Sequence, residues 1–408
     1  MQNSMMKKEA SCWAGVIAGA CGLAIAFGVV RFDFGLLGRL MSDFHWIAPS
    51  GIGDLSGLNL AGYLTGCLHQ ARLRKRKNLL LVLKVALVVA VLSLWLESFQ
   101  TVLAEQGICR FLAGWAAGHL MTGLPQLALF EVPQAHKRAA TGGVMAGGGI
   151  GALIGAFAIA KFAPDSPQMA WIVLALISSV LSLPVFWLLN RRKVRQLDDG
   201  TRPESLTPHK SDQKPLIRML LEKPLLVLLL GYVSLGAAQV PVILYEPLVI
   251  SGRLGIDSVA TSDSLAILGL GSAAGAFLAS CFPRKWSTSY LLIVTSVLGL
   301  IGNILFLCGQ NMFSVELAAF LVGAWLWVIT SLTFHRIEEL FGADMQRQLW
   351  AFFSLFAGSA FMLFSFLSAF YVARGIEVIL FAGVVLMVIH LAMEILQRFL
   401  SPARASQG

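Results

Sequence analysis

Arg31 and Asp33 interrupt the apolar run FGVVRFDFGLLG, residues 27–38. Each costs roughly 2.5–3.5 kcal/mol at a bilayer centre on insertion scales, so both positions demand a compensating role. Arg31 can anchor an anion in a central cavity, or it can snorkel to the nearer interface. Asp33 lies two residues on, about 200° around a helix, and cannot pair face to face with Arg31. It is a candidate proton carrier, a balance for another cation, or an outer-surface residue. Arg110 poses the same choice between substrate contact and surface reach. His119, nine residues later and about 180° around the helix, shares a face with Trp115, Thr122 and Gln126. Only one of Arg110 and His119 can face a cavity squarely. A midplane His can carry a proton near neutral pH, or stay neutral and bonded to a neighbouring helix. Farther on, Gln239 and Tyr245 are candidate orienting groups and Glu246 a possible proton carrier. Pro241 and Pro247 free backbone carbonyls beside them.

These side chains sit in a chain built for lipid. Of 408 residues, 57% are hydrophobic and 13% charged, with a mean hydropathy of +0.76. Soluble domains are about 45–50% apolar and about 25% charged. The composition therefore predicts an all-α integral membrane protein. Spans need about 20 apolar residues. Twelve fit, near 13–38, 53–71, 78–98, 103–131, 139–162, 169–189, 224–250, 260–282, 288–309, 313–335, 348–372 and 376–397. The first is too long for the apolar core of a signal peptide, so it reads as an uncleaved span. Residues 190–223 are charged and rich in Pro and Ser, and read as a flexible linker. It divides the chain into bundles over 1–189 and 224–408.

The net charge of +9 is a topology signal. Of the 31 Lys and Arg, 24 fall on the side of the termini and linker, 4 on the other side, and 3 (Arg31, Lys84, Arg110) inside spans. The positive-inside rule then places both termini in the cytoplasm, as in a multi-pass protein of a bacterial inner membrane. Lipid headgroups are the expected partners of these cations, and nucleic acid is not required. The six cysteines lack CxxC spacing and read as small buried hydrophobes. No metal, nucleotide or catalytic motif is present, so no cofactor and no enzyme activity is expected.

The halves align at an offset of 209 residues, Gly62 and Gly66 against Gly271 and Gly275. Phe111-Leu-Ala-Gly114 falls on Phe320-Leu-Val-Gly323, and Arg138 on Arg347. The four paired glycines are expected at close helix packing, which in a rocking transporter is also the moving contact. Two parallel six-helix repeats with a long linker are the architecture of the major facilitator superfamily.

The sequence RFDFGLL followed by LSGLNLAGYLTGCL resembles the YbfB/YjiJ-like branch of that superfamily, with its RFxYGxL-like and ANxxGYLxG-like motifs. Asn59 and Tyr63 match the second motif, and RFLAGWAAG, residues 110–118, is similar as well. The resemblance implies twelve transmembrane helices in two bundles, with helices 1, 4, 7 and 10 lining a central cavity. It also implies that Arg110 corresponds to a buried helix-4 Arg linked to proton coupling or substrate. Two departures weaken the charge-relay gate of the superfamily: Gln70 stands where Asp is expected, and Leu73 where Gly is. Gly148 replaces the proline of an antiporter-like motif.

The expectation is a monomeric secondary transporter working by alternating access, moving a small organic anion or zwitterion across the membrane and coupled to protons. Arg31, Arg110, Asn59, Gln126, Gln239 and Tyr245 are its candidate substrate residues. His119, Asp33 and Glu246 are its candidate proton carriers. The alternatives are proton-coupled efflux of amphipathic compounds and a non-transporting scaffold or sensor on the same fold.

Overall fold

The computed structural model describes residues 2–32, 34–73, 76–191, 219, 221–255, 258–283, 285–371 and 375–400. Asp33 and most of the linker lie outside them. The described regular structure is helical. The first half holds α1 (Gln2–Leu23), a π-helical segment (Ala24–Phe32), α2 (Phe34–Asp43), α3 (Pro49–Arg72), α4 (Arg76–Glu97), α5 (Leu103–Ala128), α6 (Lys137–Phe162) and α7 (Pro167–Asn190). The second half holds α8 (Lys223–Ala238), α9 (Val240–Leu254), α10 (Ser258–Cys281), α11 (Thr288–Cys308), α12 (Met312–Phe341), α13 (Ala343–Tyr371) and α14 (Ile376–Leu400).

Nine helical stretches among the described residues are long and apolar enough to cross a membrane. Three further helices, α3, α5 and α10, run 24, 26 and 24 residues. The first two fall short in apolarity, while the third counts as apolar only over the shorter stretch Ile267–Cys281. Two of them carry the inward polar residues that matter below, Asn59 and Gln70 on α3, Arg110 and His119 on α5. Among the described residues, spans expected as units are also broken. The first is wound into a π-helix over Ala24–Phe32, and the seventh breaks at Gln239, between α8 and α9. These breaks sit at repeat-equivalent positions, since Arg31 aligns with Val240. π-Segments and discontinuous spans leave backbone groups free and recur at functional sites.

The repeat is visible atom by atom in the packing. A Cβ on Gly62 would strike the Phe111 carbonyl, and one on Gly271 the equivalent Phe320 carbonyl. Gly66 and Gly275 meet the Trp115 and Ala324 carbonyls in the same way. The glycines thus press α3 on α5 and α10 on α12, each pair within its own half. The contact is internal to a bundle, so it is not the surface along which one bundle moves past the other. Gly62→Val should destabilise by about 1–3 kcal/mol through overpacking, with Gly271→Val alike. Gly269, which has open space around it, should accept Ala without loss. Thermal melts of the three variants check the contrast.

Candidate functional site

The surface between the halves carries one cation in an aromatic setting. The Arg31 guanidinium carbon lies 5.0 Å from the Phe27 ring centroid, 4.8 Å from that of Tyr63 and 5.9 Å from that of Phe361. Phe27 is on the π-helical segment and Tyr63 on α3, whereas Phe361 comes from α13 of the second half. Phe27 also meets Trp327 of α12 edge to face, at 5.4 Å. Trp327 in turn lies over Gly148 of α6, where any Cβ would enter its six-membered ring. Rings over the faces of a guanidinium stabilise it when it is desolvated, while its N–H donors point outward from the edge. Among the described residues Arg31 has no hydrogen bond and no ion pair, and it remains partly exposed.

Arg110 is placed differently. It is 1% exposed, and every contact it makes is inside the first half. Its Nη1 donates to the Val30 carbonyl at 2.9 Å, a group on the π-helical segment. Its guanidinium carbon lies 4.0 Å from the centroid of the Phe34 ring. Its own carbonyl accepts from Asn59 Nδ2 at 2.9 Å. Glu97, fully buried at the end of α4, lies within electrostatic reach, but no ion pair joins the two and neither Glu97 oxygen is hydrogen-bonded among the described residues. Arg110 and Asn59 therefore fasten α5 to α3 and to the π-helical segment. They do not reach the surface between the halves, because the Val30 carbonyl and the Phe34 ring hold the guanidinium inward.

His119 also turns away from that surface. Its Nδ1 donates to Gln70 Oε1 at 2.7 Å, since a carboxamide oxygen can only accept. That leaves Nε2 to accept from His69 Nδ1 at 3.1 Å. Trp115 packs edge-on against the His119 ring at 4.5 Å. The polar stripe of α5 thus faces α3 and forms a His–His–Gln chain inside the first half. Neither Arg110 nor His119 faces the second half, so the choice posed by their opposite helix faces has a third answer.

Gln239 closes the α8–α9 break and donates to its own Gly236 carbonyl at 3.2 Å. Tyr245 pairs with Ser368 of α13 at 2.7 Å, tying α9 to α13. Glu246 is fully buried. Lys84 reaches Asn190 Oδ1 at 2.8 Å near the end of α7.

The two halves are fastened together at the end where α7 stops and α8 starts. Arg347 of α13 donates from Nη2 to the Leu73 carbonyl at 2.8 Å and from Nη1 to the Gln70 carbonyl at 3.3 Å. Arg138 of α6 donates to the carbonyls of Pro283 at 2.6 Å, Trp286 at 2.5 Å and Phe282 at 3.4 Å. Leu73 and Phe282 are themselves repeat partners, as are Arg138 and Arg347. Each arginine thus binds the carbonyl-rich C-terminus of the other half's helix, where orphan acceptors and the helix dipole favour a cation. Lys137 pairs with Glu338, Gln126 donates to the Ala343 carbonyl, and Trp350 Nε1 donates to Met121 O at 3.3 Å. The missing Asp at position 70 is not needed for this closure, since the acceptors are backbone groups.

Several of these residues escaped the sequence reading. Glu97 was not singled out at all. Arg336, expected in a loop, lies within α12 and donates to Glu339 at 2.8 Å. In α14, His390 bonds Ser296 and the Gly231 carbonyl, both at 2.9 Å, and Glu394 is buried one turn on. The only signal for the last two was an i, i+4 pair of titratable residues in the last apolar run.

The model of the family described as the uncharacterised MFS-type transporter YbfB matches residues 23–398. No curated protein matches in sequence. Among solved structures, the major facilitator transporter FucP, described in its outward conformation, aligns with a TM-score of 0.65 at 12% identity. The alignment covers 93% of this chain and 98% of FucP.

Proposed function

We propose a function from one premise: the chain belongs to the family of the uncharacterised MFS-type transporter YbfB. It is a multi-pass membrane protein with the fold of a major facilitator transporter. From there the proposal is a secondary transporter for a small organic anion or zwitterion, working by alternating access. The observation that carries it is Arg31. It is a permanent cation on the surface between the halves, close to aromatic rings and with no anionic partner of its own among the described residues. A partly buried charge without a counter-ion is costly, and a bound anion relieves that cost.

The excess of Lys and Arg on the linker side supports a plasma-membrane topology with the linker and both termini in the cytoplasm. On that topology the arginine fastenings support a state closed to the cytoplasm, the counterpart of the outward conformation named for FucP. One chain holds both sides of the site, which supports a monomer. Proton coupling is part of the proposal, with the buried Glu246 and the His69–His119 pair as carriers. The second reading is proton-coupled efflux of amphipathic compounds, favoured by the rings of Phe27, Trp327 and Phe361.

Thermal stability against a panel of organic anions, cations and neutral compounds separates the two. A ligand at a hundred times its Kd adds about 2.7 kcal/mol. Anions should stabilise the wild type and not Arg31→Ala. Amphipathic cations that stabilise both equally would transfer the assignment to efflux.

A further inference from the structure

We infer that the anion held by Arg31 is an aromatic carboxylate. The inference rests on the anion reading above and narrows it to a chemical class. The argument begins with what is already satisfied around Arg31. Its guanidinium carbon has the rings of Phe27, Tyr63 and Phe361 at 5.0, 4.8 and 5.9 Å, while its N–H donors meet no acceptor among the described residues. An edge of parallel N–H donors matches a carboxylate bidentately.

A second donor stands beside it. Trp327 is 2% exposed, and its Nε1–H has no acceptor among the described residues. A buried indole N–H normally finds a partner. Trp327 and Arg31 both touch the same ring, that of Phe27. The site therefore offers two unmet donors, with no carboxylate among the described residues hydrogen-bonded or paired to them, on a wall made of rings from both halves.

That wall sets the body of the ligand. A planar ring stacks or meets these residues edge on, and each such pair contributes beyond its buried area. An aliphatic chain of equal size gains the area alone. Because Phe27 and Tyr63 belong to one half, and Trp327 and Phe361 to the other, a ring bound among them touches both bundles. The same ligand would then bias the halves toward approach, as a transported substrate must.

The test uses purified full-length protein and four probes: benzoate, cyclohexanecarboxylate, hexanoate and benzylamine. Stabilisation is titrated for the wild type, Trp327→Phe and Phe361→Leu. Benzoate should bind about tenfold more tightly than cyclohexanecarboxylate, the effect of one or two ring–ring contacts. Trp327→Phe keeps a ring and removes the donor, and should weaken benzoate and cyclohexanecarboxylate alike. Phe361→Leu should reduce the preference for benzoate while leaving hexanoate unchanged. Equal binding of the three carboxylates would overturn the aromatic assignment and leave the anion reading intact. Stabilisation by benzylamine alone, or by none of the four, would overturn both. Benzoate binding unaltered by Trp327→Phe would remove the indole from the site.

Discussion

Arg110→Ala should cost about 3–5 kcal/mol of stability, the usual penalty for removing the cation near a buried carboxylate. The guanidinium acts electrostatically on Glu97 in a buried region, without an ion pair between them. It also donates to the Val30 carbonyl of the π-helical segment. Removing it strands both groups, and the Phe34 ring loses its cation as well. Against total stabilities of about 5–15 kcal/mol, the loss is large enough to empty the folded state in many proteins. The diagnostic partner is Glu97→Gln. In the double variant no buried charge is left unpaired, so it should recover part of the loss. Arg31→Ala, by contrast, should melt close to the wild type, because no acceptor among the described residues depends on it. A wild-type melting temperature for Arg110→Ala would show that the pair is not structural.

Replacing Arg138 and Arg347 together should open the linker end. Each donates two or more charge-assisted bonds to carbonyls of the opposite half, worth about 1.5–3 kcal/mol apiece before discounting for partial exposure. Taking about 2 kcal/mol per arginine, the double Ala variant shifts the equilibrium by about 4 kcal/mol. About 5.5 kcal/mol carries a two-state system from 99:1 to 1:99. Spin labels at Gln134 and Lys285, exposed on the two halves at that end, read the distance in a cysteine-free background. The wild type should give a dominant short distance, each single variant an added long component, and the double variant mostly the long one. A distance distribution unchanged by the double substitution would assign the closure to Lys137–Glu338 and the packed helices instead.

Much of the architecture was legible because it follows from local rules. Apolar runs gave the spans, and the glycine pairs at a constant offset gave the repeat. The same glycines then proved to meet equivalent carbonyls, Phe111 and Phe320. What the sequence concealed were relations between distant groups. Arg31 is surrounded partly by Phe361, which is brought close only by the packing of the two halves. The direction of Arg110 depends on the π-helical turn that exposes Val30, and no propensity argument locates that turn. The fastenings by Arg138 and Arg347 use backbone acceptors, which leave no side-chain signature. A motif reading that looked for Asp at position 70 found Gln, yet the closure runs through the carbonyl of that same residue. His119 stood open between a cavity wall and a bond to a neighbouring helix because a helix wheel cannot say which neighbour it faces; Gln70 and His69 decide for the second.

The central claim is that Arg31 receives an anion between the two halves. Its most direct test is the position of a bound heavy atom. Crystals of the protein grown with 4-bromobenzoate would be measured at the bromine edge. The account predicts anomalous density among Phe27, Trp327 and Phe361, with the carboxylate on the edge of the Arg31 guanidinium. Bromine density away from those rings, or none at a concentration that stabilises the protein, would contradict it.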